Sequence, residues 1–75
     1  MYLLDLHTIR HKDAEILIEN FVISCSLNNE YPIEIITGNS SKMQEITIEV
    51  LDKHNFKYRI GDLFGNNLGL IYVYG

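Results

Sequence analysis

The segment IEIITGNSSKMQEITIEVL, from Ile33 to Leu51, decides the fold of this 75-residue chain. Its first part, Ile33 to Thr37, is rich in β-branched residues, which predicts a short strand. Gly38-Asn39-Ser40 predicts a tight turn, and Ser41 begins a helix because Ser41 and Gln44 have the spacing of a capping box. The face of this helix that we expect to be buried carries Met43, Ile46, Thr47, Val50, Leu51 and His54.

The first strand is predicted from Tyr2 to His7. Side chains alternate along a strand, so Leu4 and Leu6 share the face that packs into the core. Asp5 and His7 then lie together on the opposite face. From spacing alone two interpretations stay open: a carboxylate that orients an imidazole for acid–base chemistry, or a solvated polar face of a half-buried sheet.

A helix is predicted between these strands, from His11 to Ser26, because apolar residues recur at positions i, i+3, i+4 and i+7. The stripe consists of Ala14, Leu17, Ile18, Phe21, Val22 and Cys25. Ile16 and Ile23 lie off the stripe, and we expect them to form a partly exposed apolar edge. His11 is either an exposed loop residue or a neighbour of the polar pair on the first strand.

Two strands close the chain. The third is predicted from Phe56 to Ile60 and the fourth from Leu68 to Tyr74, with a turn over Gly61–Asn67. A basic-aromatic patch, in which cations contact phosphates and bases stack on tyrosine, is one interpretation of Lys57, Arg59, Tyr72 and Tyr74. The relative parity of the two strands stays open, and the alternative is that at least half of the tyrosines pack in the core or at the sheet edge.

The predicted element order is therefore β-α-β-α-β-β. Both β-α-β units are expected to be right-handed, which puts both helices on one face of a single sheet. A closing hairpin makes the last strand antiparallel to the third, so the four-stranded sheet is mixed. We predict an α/β protein, more narrowly an α+β two-layer sandwich, in which residues 1–75 form one domain.

Composition excludes several classes of protein. Hydrophobic residues make up 47% of the chain, which is too much for a disordered protein. One cysteine forms neither an internal disulfide framework nor a cysteine-based zinc finger, and no apolar run reaches the roughly 18–20 residues of a membrane span. The net charge of −4 argues against tight non-specific binding of nucleic acid. The start of the chain does not resemble a signal peptide, so we expect a cytoplasmic protein.

Two motifs together resemble the Smr (small MutS-related) domain family. Leu4-Asp5-Leu6-His7 is similar to the L-D-x-H signature that opens this domain, and the helix start Asp13-Ala14-Glu15 follows at the expected distance. Thr37-Gly38-Asn39-Ser40 stands where the family has H-G-x-G or T-G-x-G. The resemblance extends from Leu3 to Tyr74, as expected for a minimal stand-alone member.

The resemblance implies a fold similar to the C-terminal domain of translation initiation factor three, with the fourth strand between the second and the third. It also implies binding to RNA or structured DNA and endonuclease activity, with His7 as general base or acid and Asp5 orienting it. Backbone amides at a helix start suit an anion, and the predicted phosphate-binding residues are Thr37, Gly38, Asn39, Ser40, Ser41, Lys42 and Arg10. The chain departs from the family where Ser40 replaces the second motif glycine.

A non-catalytic interaction module is the alternative function. The negative charge, the altered turn and the edge formed by Ile16 and Ile23 favour it, with a ribonucleoprotein, another protein or a second copy of the chain as partner. A metabolic enzyme with a small anionic substrate has only the turn in its favour. No residues have the spacing of a metal site, although Mg²⁺ loosely held at substrate phosphates stays open as a cofactor. No membrane partner is expected.

Overall fold

The computed structural model describes residues 2–61 and 69–75. Its elements are β1 (Tyr2–Asp5), α1 (His11–Leu27), β2 (Ile33–Ile36), α2 (Ser41–Lys53), β3 (Tyr58–Ile60) and β4 (Leu70–Val73). The order β-α-β-α-β-β is confirmed, but the strands are shorter than predicted. His7 lies in a turn after β1, and Phe56 and Lys57 precede β3. The predicted start of the last strand at Leu68, and residues 62–67 of the predicted turn, lie outside the described residues.

The four strands form one mixed sheet in the order β1-β2-β4-β3. Strand β1 is parallel to β2, whereas β4 is antiparallel to both β2 and β3. The last strand thus lies between β2 and β3, as the family resemblance implies. The parallel pair also brings the carboxyl ends of β1 and β2 to the same edge of the sheet, which we call the upper edge.

The core lies between the sheet and the two helices. Leu6, Ile18, Ile35, Leu51 and Ile71 are all fully buried there. Hydrophobic burial of this kind contributes about 25 cal/mol per Å² of apolar surface and is the main force that holds the two layers together. The predicted core position of Leu6 is therefore confirmed.

Helix α1 buries Ala14, Ile18, Val22 and Cys25, all of which belong to the predicted stripe. The exposed edge predicted for this helix is also confirmed, since Ile16 is 66% and Ile23 is 37% exposed. The prediction that Leu17 belongs to the core was wrong, because it lies at the margin of the stripe and is 37% exposed.

The start of α2 corrects one sequence prediction. The helix begins at Ser41 as expected, but its N-cap is Ser40, whose Oγ atom accepts a hydrogen bond from the backbone N–H of Met43 at 3.1 Å. Ser40 has the extended backbone that an N-cap requires, while Ser41 already lies inside the helix. The prediction that Ser41 and Gln44 form a capping box was therefore wrong, because the N-cap lies one residue earlier, at Ser40.

An ionic cluster joins the middle of α1 to the C-terminal end of α2. Glu19 Oε2 lies 2.8 Å from His54 Nε2 and 3.1 Å from Lys53 Nζ. Hydrogen bonds from His54 and then Lys53 lower the pKa of Glu19. The neighbouring pocket between the helices has a volume of about 110 Å³ and is lined by Glu15, Ile46, Glu49, Val50 and Lys53.

Neither described helix has the length and apolar content that crossing a bilayer requires.

Candidate functional site

The Asp5 carboxylate holds both the backbone and the ring of His7. Its Oδ1 atom accepts a hydrogen bond from the His7 backbone N–H at 3.0 Å and lies 2.6 Å from His7 Nδ1. These two hydrogen bonds, the backbone one first, lower the pKa of Asp5. An ionised carboxylate at Nδ1 favours the tautomer that carries its proton on Nδ1, so that Nε2 is left as a proton acceptor.

The pair therefore differs from the one that strand alternation predicts. Asp5 ends β1, and His7 lies in the following turn, where the Asp5 side chain fastens it. Both side chains stay accessible, with exposed fractions of 41% for Asp5 and 61% for His7. The arrangement combines a fixed ring orientation with access for a substrate, which is what general acid–base chemistry requires.

The turn after β2 is fastened to the start of β4. The backbone N–H groups of Thr37 and Gly38 both donate to the carbonyl of Gly69, at 2.8 and 3.1 Å. The Thr37 hydroxyl is buried and donates to the carbonyls of Gly38 and Gly69, at 3.2 Å each. Thr37 thus holds the turn in place and keeps its hydroxyl inside the protein.

Gly38 brings this turn next to His7. Its φ of +66° lies in the left-handed region, which glycine adopts without strain. A Cβ atom at Gly38 would lie 3.9 Å from the Cβ of His7. The two motifs, although separated by a complete β-α unit, therefore meet at the upper edge of the sheet.

A pocket of about 270 Å³ lies at the start of α2, lined by Gly38, Asn39, Ser40, Ser41, Gln44 and Ile60. Within residues 2–61 and 69–75 no hydrogen bond reaches the backbone amides of Ser41 and Lys42. The unpaired N–H groups of a first helical turn and the helix dipole both favour binding of an anion at the N-terminus of a helix. Lys42 Nζ lies 4.0 Å from Glu45 Oε1, and both side chains are about three-fifths exposed (60% and 61%), so this ion pair is weak.

The start of α1 lies beside the start of α2. His11 Nε2 is 3.5 Å from Ser40 Oγ, a long contact that brings His11 to the turn. His11 is thus exposed and lies next to Ser40 of the turn. Arg10 is the exposed N-cap residue of α1, where it makes no side-chain capping hydrogen bond.

Residues 4–74 match the family model of the Smr domain. The chain belongs to the Smr domain family. This family is generally linked to nucleic-acid binding and nuclease activity. No curated protein and no solved structure gives a significant match to the chain.

Sequence reasoning missed two residues of this Smr domain that shape the site. Gly69 was assigned only to a strand, yet a Cβ atom there would lie 3.0 Å from the carbonyl oxygen of Gly38. Ile60 was assigned only to β3, yet it lines the pocket at α2. The sequence signal for Gly69 is a glycine before an apolar strand, which often marks a close backbone approach. Ile60 carries no local signal, since its role depends on the strand order.

The described residues contain no group of three or more His, Cys, Asp or Glu side chains able to hold a metal ion. Asp5 is the carboxylate next to His7, and its Oδ1 atom already binds the His7 amide and ring. The donor set around the turn consists mainly of hydroxyl, amide and backbone groups. These groups suit contacts to an anion better than a protein-held Mg²⁺.

Proposed function

We propose that this Smr domain binds RNA or structured DNA and cleaves a phosphodiester bond held between His7 and the turn at Gly38. The observation that carries the proposal is the Asp5–His7 pair, joined at 2.6 Å, beside the turn at Gly38 that leads into α2. A proton acceptor and a binding site for an anion are the two parts that phosphodiester cleavage requires. Membership of the Smr domain family supports the same conclusion.

On RNA, His7 Nε2 takes the proton of a ribose 2′-hydroxyl while Asp5 stabilises the imidazolium that forms. The 2′-oxygen forms a bond to phosphorus, and the bond from phosphorus to the 5′-oxygen breaks. The departing 5′-oxygen takes up a proton from the imidazolium or from water. The RNA product is a 2′,3′-cyclic phosphate and a 5′-hydroxyl. On DNA, which has no 2′-hydroxyl, a water molecule gives its proton to Nε2 and its oxygen forms a bond to phosphorus. The bond from phosphorus to one of the two ester oxygens breaks, and that oxygen takes up a proton from the imidazolium or from water.

The phosphate is held by the start of α2. The amides of Ser41 and Lys42, with the side chains of Asn39 and Lys42, contact its oxygens, and Arg10 adds positive charge from the start of α1. The positions of Thr37 and Gly38 in the turn support a different role for them, since their N–H groups donate to Gly69. They hold the shape of the turn, and Gly38 gives the substrate access to His7.

The test compares wild type with His7→Ala and Asp5→Asn on end-labelled single-stranded RNA, stem-loop RNA and four-way-junction DNA, each with Mg²⁺ and with a chelator. We expect His7→Ala to lower the cleavage rate by about 10²–10⁴-fold, because that is the usual contribution of a positioned acid–base group. Binding should change little, since the phosphate contacts remain. The matched control is His54→Gln, which changes a histidine at the other end of α2.

Cleavage by His7→Ala at the wild-type rate would contradict the catalytic role of the pair. Binding without any cleavage by wild type would leave a recognition module. The substrate that is cleaved distinguishes RNA from structured DNA, and the product end distinguishes attack by the 2′-hydroxyl from attack by water.

A protein-interaction module is the second candidate, and the outer face of α1 favours it. Ile16, Ile23 and Leu27 are 66%, 37% and 82% exposed on this helix. Exposed apolar side chains that lie together are typical of protein interfaces. If Ile16→Asp or Ile23→Asp abolishes self-association or capture of a ribonucleoprotein while His7→Ala has no effect on any activity, this function replaces the first.

A further inference from the structure

The sheet face opposite the helices carries a cation and two aromatic rings in a row. We propose that Arg59, Tyr72 and Tyr74 form a stacking platform for the bases of a single-stranded nucleic acid segment. This inference deepens the proposed function, and rests on it, because it names the form of the substrate that enters the site. The name stacking platform is used below for these three residues.

The three side chains are held next to one another by strand pairing. Arg59 and Tyr72 are register partners in β3 and β4, and the Arg59 guanidinium lies 5.6 Å from the centre of the Tyr72 ring. The centres of the Tyr72 and Tyr74 rings are 6.2 Å apart, with 34° between their planes. The platform is therefore assembled before any ligand arrives, which lowers the entropy lost on binding.

Exposure indicates which ring a base contacts first. Tyr72 is half-buried beside the guanidinium, while Tyr74 is 52% exposed at the end of the row. Bases stack on tyrosine rings and on guanidinium planes because both present a flat polarizable surface. Stacking requires an open base face, which a single strand offers along its length and a duplex hides in its stack. The platform thus favours unpaired bases.

Charge at this part of the sheet suits a phosphate backbone. Strands β3 and β4 contain no acidic residue. Lys57 is exposed and lies next to Tyr74 in the sheet, because the Lys57 carbonyl accepts a hydrogen bond from the Tyr74 N–H at 3.0 Å. Glu34, the register partner of Tyr72 on β2, carries the opposite charge. A nucleic acid chain is therefore favoured along β4 and disfavoured across β2.

The path along β4 leads to the candidate site. Tyr72 is three residues from Gly69, a distance of about 10 Å along a strand, and Gly69 accepts hydrogen bonds from the amides of Thr37 and Gly38. A single strand whose phosphate lies at the turn therefore places neighbouring bases over Tyr72 and Tyr74.

The test measures binding of two labelled probes by fluorescence anisotropy at low salt. One is a short uridine oligonucleotide, and the other is an abasic oligonucleotide of equal length, which keeps the phosphates and lacks the bases. We expect wild type to prefer the uridine probe and Tyr74→Leu to weaken its binding by roughly 5- to 150-fold. Binding of the abasic probe should stay at the wild-type level. Tyr74→Phe should restore binding, because the ring and not the hydroxyl stacks.

The controls separate this inference from the proposed function. Tyr2→Leu, at the opposite edge of the sheet, should leave binding of both probes unchanged, and urea denaturation checks that each variant folds. The platform would be overturned if wild type bound both probes with equal affinity, or if Tyr74→Leu lost the same affinity for both probes. In either case, cleavage that depends on His7 would leave the proposed function standing. Base-dependent binding by Tyr74 without such cleavage supports the platform and overturns the catalytic role. If wild type binds neither probe, the platform is overturned, while cleavage of stem-loop RNA or four-way-junction DNA that depends on His7 leaves the proposed function standing.

Discussion

Gly69→Ala is the sharpest test of how the candidate site is built. An alanine Cβ atom would lie 3.0 Å from the carbonyl oxygen of Gly38, 3.1 Å from its carbonyl carbon and 3.3 Å from its Cα atom. All three are backbone atoms, so no flexible side chain can yield. Gly69 itself does not lie in the left-handed region, so the expected damage is steric and does not come from its backbone angles.

The magnitude follows from the contact. Overpacking of this kind costs about 1–3 kcal/mol. It also lengthens the two hydrogen bonds that the Thr37 and Gly38 amides donate to the Gly69 carbonyl. A hydrogen bond of this kind contributes about 0.5–1.5 kcal/mol. Because these hydrogen bonds lengthen and do not break, most of the cost is the overpacking, and we expect the free energy of unfolding to fall by about 2 kcal/mol, out of about 4–11 kcal/mol for a chain of this length. The midpoint of thermal unfolding should fall by about 8–16 °C.

Urea and thermal denaturation followed by circular dichroism measure this loss. Asn20→Ala is the control, because Asn20 is an exposed residue of α1 that takes no part in this contact. The Gly69→Ala variant should also bind nucleic acid more weakly than wild type, since the turn that faces His7 is displaced. A Gly69→Ala protein that melts with wild type would refute the close approach of Gly38 and Gly69, and with it the geometry of the site.

Three further perturbations test local features. Ser40→Ala should lower the free energy of unfolding by about 1 kcal/mol, whereas Ser41→Ala should have little effect; equal losses in urea denaturation would contradict the N-cap assignment. Hydrogen bonds from His54 and Lys53 hold the pKa of Glu19 below its ordinary value of 4.5, so their stabilisation is present above pH 4.5 and is lost as the pH falls through the lowered pKa. Glu19→Gln should therefore reduce the acid-induced loss of stability, and an unchanged loss would exclude this cluster as its source. Burial raises the pKa of the Cys25 thiol, so a thiol reagent should modify the native protein far more slowly than the urea-unfolded protein, and equal rates would contradict its burial.

The sequence predicts the element order because periodicity reports burial directly. Leu6 alternates with Asp5 and His7, and Ile18 recurs at helical spacing, so their place in the core follows from residue type alone. The ends of elements depend on backbone angles that residue type does not determine. Ser40 and Ser41 are chemically identical, and only the extended backbone of Ser40 makes it the N-cap.

The candidate site is less accessible to sequence reasoning because it depends on contacts between distant segments. The strand order puts β4 next to β2 and thereby brings Gly69 against Gly38, which no local pattern encodes. The link between Glu19 and His54 has the same origin, since it joins two helices. The resemblance to a family supplied the place of β4 in the sheet, and hairpin geometry alone supplied only its direction relative to β3.

A net charge of −4 does not conflict with binding to nucleic acid, because the cations are unevenly distributed. Of the six Lys and Arg residues, only Lys53 lies in the ionic cluster between α1 and the C-terminal end of α2. The others are at the helix starts (Arg10, Lys12 and Lys42) or beside and within the stacking platform (Lys57 and Arg59). Each phosphate contacted on a single strand adds about −0.7 to the slope of log K against log salt concentration.

Three to five such contacts therefore give a slope of only about −2 to −3.5, well below that of a strongly basic protein. Electrostatic attraction is correspondingly modest, so affinity must depend on short-range contacts at Tyr74, Tyr72 and the start of α2. Stacking on these rings is almost independent of salt concentration, while the phosphate contacts weaken as salt rises. The ratio of the affinities for the uridine and the abasic probe should therefore stay nearly constant as the salt concentration rises, even though the affinity for each probe falls, because both probes lose the same phosphate contacts and only one of them stacks.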